Sequence, residues 1–129
     1  MKELLEKLKS LDPTTYESIA NHLAWAEVQW EELYPEYKGD KPYIPEDAAI
    51  STPMEYLIQG VLQDAISDKG WAMVMTYNPP SGPEGMFWDV MIWTSWNVWF
   101  KEDKCYAGKA DSPVESLLAA YIAACEVTP

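Results

Sequence analysis

The sequence predicts an α+β fold: an antiparallel sheet of three or four strands flanked by helices, in an α/β/α sandwich-like arrangement. Three observations favour this class. Apolar residues recur at helical spacing up to about residue 70, they alternate with a period of two over residues 71–110, and helical spacing returns over residues 112–125. With 129 residues, 48% of them hydrophobic, the chain is predicted to be a single domain with an ordinary core.

The first 50 residues are predicted to be a helical part that ends in a proline-rich loop. A helix over residues 1–11 carries its leucines on one side: Leu4, Leu5, Leu8 and Leu11. Asp12 and Pro13 then favour the cap and first position of a second helix. Thr14 and Glu17 are a candidate capping box for it.

This second helix is predicted to run from about residue 14 to residue 34. Its apolar side chains form one stripe: Tyr16, Ile19, Leu23, Ala26, Trp30 and Leu33. Residues 35–50 contain three prolines and mixed charges, which is typical of a loop. Such a long connection is either functional or loosely ordered.

Residues 51–129 are predicted to be a helix–sheet–helix core. Thr52 caps a third helix that ends at Gly70, and Ser112 caps a last helix that ends near Cys125. The third helix buries Met54, Leu57, Ile58, Val61, Leu62, Ala65 and Ile66, and the last one buries Leu117, Leu118, Tyr121 and Ile122. Strands are predicted over residues 71–77, 86–94, 96–100 and 105–110, with a turn-rich connection at 78–85 and a hairpin tip at 101–104.

The strand region is apolar on both faces, which predicts cover on both faces. Even positions carry Met86, Trp88, Val90, Ile92, Trp96, Val98 and Phe100, and odd positions include Phe87, Met91, Trp93 and Trp99. The tryptophans are therefore expected to pack in the core, although a platform for a sugar or a cation is an alternative.

The charge is strongly acidic: 21 acidic residues stand against nine lysines, and there is no arginine. Arginine is the usual residue for bidentate phosphate recognition, so the charge sign and the chemistry both disfavour direct binding of nucleic acid. Anionic membranes are disfavoured as well, and no apolar run approaches the length of a membrane span. The N-terminus lacks the apolar stretch of a signal peptide, so a cytoplasmic location is expected.

No catalytic, metal or cofactor site is predicted. Cys105, Cys125 and His22 are too few for a zinc site, and the two cysteines are expected to be free thiols. His22 is interpreted as a structural or surface residue. The pairs Glu27/Glu31 and Asp64/Asp68 lie one helical turn apart, where solvated charge is the usual outcome, so a carboxylate-dependent hydrolase is the less favoured class.

The candidate binding site is an acidic, tyrosine-rich segment. Its residues are Glu27, Glu31, Glu32, Tyr34, Glu36, Tyr37, Asp40, Tyr43, Glu46 and Asp47, preceded by Trp25, which falls off the apolar stripe of its helix. Two interpretations stay open. The charge either keeps the protein soluble, or it docks onto a basic groove with the tyrosines supplying contact area.

The C-terminal half resembles a known family. Lys69-Gly70-Trp71 ends a helix, Trp-rich strands follow, and the segment from Tyr106 through Glu115 leads into an Ala-rich helix. This pattern, over about residues 52–125, resembles the phage ABA sandwich proteins, small phage or prophage proteins without assigned activity. The resemblance implies helix–sheet–helix layering and a phage origin, and it offers no catalytic residues to transfer.

Together these features predict a non-enzymatic, phage-encoded inhibitor that acts in the host cytoplasm. Its partner would be a host protein with a basic surface that handles nucleic acid, such as a CRISPR or other defence complex. A small-ligand or structural module built on the Trp-rich sheet is the alternative. The 3-4 spacing of the second helix suits either core packing or a homodimer.

Overall fold

The computed structural model describes residues 1–26, 52–81, 83, 85–94 and 105–127 of the chain. Within these ranges it confirms the predicted α+β class, with helices and an antiparallel sheet. The elements in chain order are α1 (Lys2–Leu11), α2 (Pro13–Ala26), α3 (Thr52–Asp68), β1 (Ala72–Asn78), β2 (Phe87–Trp93), β3 (Cys105–Ala110) and α4 (Pro113–Val127). The predicted strand at 96–100, the hairpin tip at 101–104 and the loop at 35–50 lie outside the described residues.

The described sheet has the strand order β1-β2-β3, and both pairings are antiparallel. Val90 lies opposite Met75 on one side and opposite Gly108 on the other. Ile92 similarly lies between Met73 and Tyr106. Because alternate residues share a face, these side chains form one surface, and it packs into the core.

Helix α4 lies directly on this surface. A Cβ atom on Gly108 would come 2.7 Å from the backbone nitrogen of Ala120 and closer still to the carbonyl oxygen of Ser116. Only glycine allows this approach. The buried Ser116 hydroxyl is satisfied within the helix, since it donates to the carbonyl oxygens of Ser112 at 3.1 Å and Pro113 at 3.0 Å.

The other helices complete the core around α3 and α4. Most of the predicted inward residues are buried: Leu5, Leu8, Tyr16, Ile19, Leu23, Met54, Ile58, Val61, Leu62, Ile66, Leu117, Leu118, Tyr121 and Ile122. Leu57 and Ala65 are partly buried against them. Leu11 was expected on the buried side of α1, but it is 40% exposed. It is the last residue of the helix and lies on a shallow surface depression beside Glu6 and Glu126.

The helix ends follow from local sequence. Gly70 has a φ of 70°, and the bonds Gly70 N–H to Ser67 O and Trp71 N–H to Ile66 O form a Schellman motif. The Ser112 hydroxyl accepts the backbone N–H of Glu115 at 3.2 Å, as a capping serine should. The predicted end of α3 at Gly70 and the predicted cap of α4 at Ser112 are therefore both confirmed.

The capping box predicted at Thr14 and Glu17 is wrong. Thr14 lies inside α2, one residue after Pro13. The prediction that Asp12 caps the helix is confirmed: its Oδ1 accepts the backbone N–H of Thr15 at 3.2 Å. Aspartate is among the strongest N-caps, and proline fits the first helical position, so the earlier residue sets the start of the helix.

Candidate functional site

The predicted binding segment lies almost entirely beyond the described structure. Trp25 belongs to α2, but its side chain is outside the described part. The other ten residues, Glu27, Glu31, Glu32, Tyr34, Glu36, Tyr37, Asp40, Tyr43, Glu46 and Asp47, also lie outside it. Their grouping therefore stays a prediction from sequence, in which seven of the 21 acidic residues fall between positions 27 and 47.

The described surface is also acidic, on several elements. Its exposed carboxylates are Glu3, Glu6, Asp64, Asp68, Asp111 and Glu126. Asp64 and Asp68 point to solvent on α3, which agrees with their interpretation as solvated charge. Two ion pairs join described residues: Met1 with Glu115, and Lys69 with Asp12. Neither of them involves Asp64 or Asp68.

His22 lies on the surface of α2, as predicted. Its Nδ1 is 2.7 Å from the carbonyl oxygen of Ser18, one turn earlier. A carbonyl oxygen only accepts, so Nδ1 is the protonated nitrogen that donates. This contact fixes the ring to its own helix.

The most connected polar group in the described structure is Asp12, between α1 and α2. Its Oδ2 accepts the Thr15 hydroxyl at 2.6 Å and the Tyr121 hydroxyl of α4, also at 2.6 Å. The ammonium of Lys69 lies 4.0 Å from the same oxygen. Tyr121 is fully buried, and the centroid of its ring lies 5.8 Å from that of Trp71. The Nζ atom of Lys69 lies 5.4 Å from the centroid of the Trp71 ring.

The proton positions in this network are fixed. Burial by itself would raise the pKa of Asp12, but the bonds from Thr15 and Tyr121 and the charge of Lys69 outweigh it and leave the pKa below 3.8. Burial and the bond to Asp12 raise the pKa of Tyr121 well above 10. Burial also raises the pKa of the Cys125 thiol. At neutral pH the aspartate is charged and the other two groups keep their protons, so the cluster acts as a structural clamp that joins the α1–α2 junction to α4.

This clamp was not predictable from sequence, because 109 positions separate Asp12 from Tyr121. The sequence pattern predicted Asp12 as a helix cap and Tyr121 as a core residue, and both predictions are confirmed. Only the fold brings the two side chains together.

The described tryptophans mainly support packing. Trp93 is 4% exposed, and Trp71 is half-buried against the core. Trp88 is half-buried as well, at the far end of the sheet, where its ring lies 5.1 Å from that of the exposed Tyr77. Trp96 and Trp99 are not among the described residues.

The most exposed large apolar side chain described is Tyr56 of α3, at 67%. Tyr56 is not among the residues predicted for the buried face of this helix, and it was not assigned a role from sequence. Tyr56 lies between Met54 and Leu57 but off the apolar stripe, and this position could have predicted its exposure.

Within the described ranges no group of three or more His, Cys, Asp or Glu side chains is placed to hold a metal ion. Cys105 and Cys125 are free thiols. None of the helices described is both long and apolar enough to cross a bilayer.

Comparison with known proteins identifies no relative. No family model, no curated protein and no solved structure matches the chain. The resemblance to the phage ABA sandwich proteins therefore stays a prediction.

Proposed function

We propose that the protein is a non-enzymatic, acidic inhibitor that binds a basic, nucleic-acid-handling host protein, with CRISPR and other defence complexes as the leading class of target. The observation that carries the proposal is the charge pattern. The chain has 21 acidic residues, nine lysines and no arginine, and seven acidic residues between positions 27 and 47 alternate with Tyr34, Tyr37 and Tyr43. A phage origin, as the resemblance implies, accords with this role.

The chemistry of the described residues supports binding over catalysis. The side chains with displaced pKa values, Asp12, Tyr121 and Cys125, are directed toward one clamp between helices. The pKa values of these three groups are displaced away from neutral pH. A general acid or base, by contrast, works best when its pKa is near the working pH. The exposed carboxylates lie instead on helix surfaces and, for Asp111, on the bend before α4.

The proposed mechanism is competition for a basic groove. Carboxylates of residues 27–47 would take the positions that nucleic-acid phosphates otherwise occupy, and the tyrosines would supply rigid contact area. Each carboxylate is a single charge on a flexible stem. The affinity should therefore fall steeply with salt, and the association rate should fall first.

The test is an affinity capture from a bacterial host lysate with two charge-matched variants. One carries Glu31→Lys, Glu32→Lys and Glu36→Lys, and the other carries Glu3→Lys, Glu6→Lys and Glu126→Lys. Both change the net charge equally, and the three control residues are exposed in the structure. The first variant should lose the partner and the second should retain it, and 0.5 M salt should release the partner from the wild type.

The proposal fails if no nucleic-acid-binding protein is retained, or if the retained partner is indifferent to salt. Equal loss in both variants would show that total charge, and no particular segment, determines binding. Thermal unfolding of both variants checks that each is folded.

A small-ligand module is the second candidate, and the Tyr77–Trp88 pair favours it. Tyr77 is 48% exposed and its ring lies 5.1 Å from that of Trp88, so a flat ligand could stack on the tyrosine. Sugars, nucleotides and quaternary amines are titrated while tryptophan fluorescence is recorded. A saturable change that Tyr77→Ala abolishes would favour this role over a protein partner.

A further inference from the structure

One row of residues on α3 faces away from the core. Tyr56, Gly60, Asp64 and Asp68 are spaced four apart, so they form a single ridge along the helix. Tyr56 is 67% exposed, and both aspartates are exposed. The opposite side of the helix is buried in the core through residues such as Ile58 and Leu62.

Gly60 interrupts this ridge without a reason in the described fold. It lies in the middle of a 17-residue helix, where glycine is the poorest choice after proline. A Cβ atom built on it would meet no atom within 4 Å, so no close packing requires a glycine there. Gly108, by contrast, is required by the contact with α4.

The missing side chain leaves a notch between an aromatic ring and a carboxylate. In an α-helix each side chain leans toward the N-terminus, over the residue four positions earlier. A side chain at position 60 would therefore lean over Tyr56, and with glycine there α3 places no side chain in that position. Asp64 leans over Gly60 in the same way, which brings its charge toward the notch.

We propose that this notch receives one cationic side chain, an arginine in the first place, from the basic partner. The guanidinium would stack on the Tyr56 ring and pair with the Asp64 carboxylate, a combination suited to its planar charge. The inference rests on the proposed function, because it assumes a basic partner. Charge complementarity supports this occupant: Asp64 has no ion pair with a described residue, and the nearby Lys69 already faces Asp12 and Trp71.

The site is tested directly by titrating the ¹⁵N-labelled protein with tri-arginine amide and recording amide shifts. Saturable shifts should include the turns around Tyr56, Gly60 and Asp64, and the affinity is measured from these shifts, separately from any at residues 27–47. Gly60→Leu should fill the notch and weaken binding by about fivefold. Asp64→Asn should weaken it by about fivefold as well.

Asp68→Asn is the matched control, because it removes the same charge from an exposed position on the same helix. It should change the affinity by less than about twofold, since Asp68 lies two turns beyond the notch. Equal effects of Asp64→Asn and Asp68→Asn, an unchanged affinity in Gly60→Leu, or an absence of shifts from the turns around Tyr56, Gly60 and Asp64 would each overturn the notch. Helical content measured by circular dichroism shows whether the variants are folded.

The same variants separate this inference from the proposed function. If tri-arginine amide binds as expected but no basic protein is captured from the lysate, the notch stands and the proposed function falls. If a basic partner is captured and Gly60→Leu retains it as well as the wild type, the function stands and the notch is refuted.

Discussion

Replacing Tyr121 by phenylalanine tests the clamp between α4 and the α1–α2 junction. The change removes one hydroxyl that donates to Asp12 Oδ2 at 2.6 Å and leaves the buried ring in place. Asp12 keeps its bonds from the hydroxyl and the backbone N–H of Thr15. The same hydroxyl lies 3.4 Å from that of Thr15, so the variant removes this weaker contact as well, and a double-mutant cycle with Asp12→Asn isolates the hydrogen bond to the charged acceptor.

The expected cost is about 2 kcal/mol of unfolding free energy at neutral pH, since hydrogen bonds to charged groups contribute about 1.5–3 kcal/mol. The Asp12 side chain is only 15% exposed, so water replaces the lost donor poorly. The folded-state pKa of Asp12 is below its ordinary value of 3.8. The stability that its charge contributes is thus fully present above that value and is lost as the pH falls through the lower folded-state pKa.

Once Asp12 is protonated, Tyr121 can donate only to a neutral carboxyl group, and the cost of Tyr121→Phe should shrink to about 1 kcal/mol. Urea unfolding of the wild type and the variant at pH 7 and at successively lower pH follows this change in cost as Asp12 takes up its proton. Asp12→Asn and the double variant complete a double-mutant cycle at pH 7, in which a coupling of at least about 1 kcal/mol is expected. A cost of Tyr121→Phe that is undiminished in the Asp12→Asn background would refute the clamp.

Three other predictions follow from the same structure. Gly108→Ala should lower the free energy of unfolding by about 3 kcal/mol in urea unfolding, because the methyl group meets the backbone of Ser116 and Ala120. A neutral effect would contradict the close packing of α4 on Gly108. Gly60→Ala should instead stabilise the protein by about 1 kcal/mol, because its Cβ meets open space in a helix interior; a loss of stability would reveal a contact at that position. Because the pKa of folded Tyr121 is raised, stability should fall above pH 10 by about 1.4 kcal/mol per pH unit from this group, and the decline should be shallower in Tyr121→Phe.

The fold was predictable where its signals are local. Ser112 before Pro113 and Gly70 after α3 act through bonds to residues two to four positions away, and both positions were assigned correctly. The change from helical spacing to alternation likewise located the three described strands to within a residue or two. Asp12 and Thr14 are both acceptable caps, and the choice between them depended on how Pro13 enters the helix.

The rest depends on contacts that the sequence does not display. The exposure of Leu11 reflects where the core ends, which no spacing along α1 reveals. The bond between Asp12 and Tyr121 exists only because α1 and α4 pack side by side. For the candidate site, the acidic segment at residues 27–47 was predicted from sequence. The proposed notch could not be, because it depends on the absence of any atom within 4 Å of a Cβ at Gly60, which only the structure shows.

The close packing of α4 on Gly108 of β3 also bears on the order in which the chain folds. Only Asp111 and Ser112 separate β3 from α4, so their contact closes a very short loop and costs little chain entropy. The packing of α1 on α4 instead joins the two ends of the chain. We expect β3 and α4 to be formed in the folding transition state and α1 to dock afterwards. Stopped-flow kinetics should then show that Leu117→Ala slows refolding, whereas Leu8→Ala mainly accelerates unfolding.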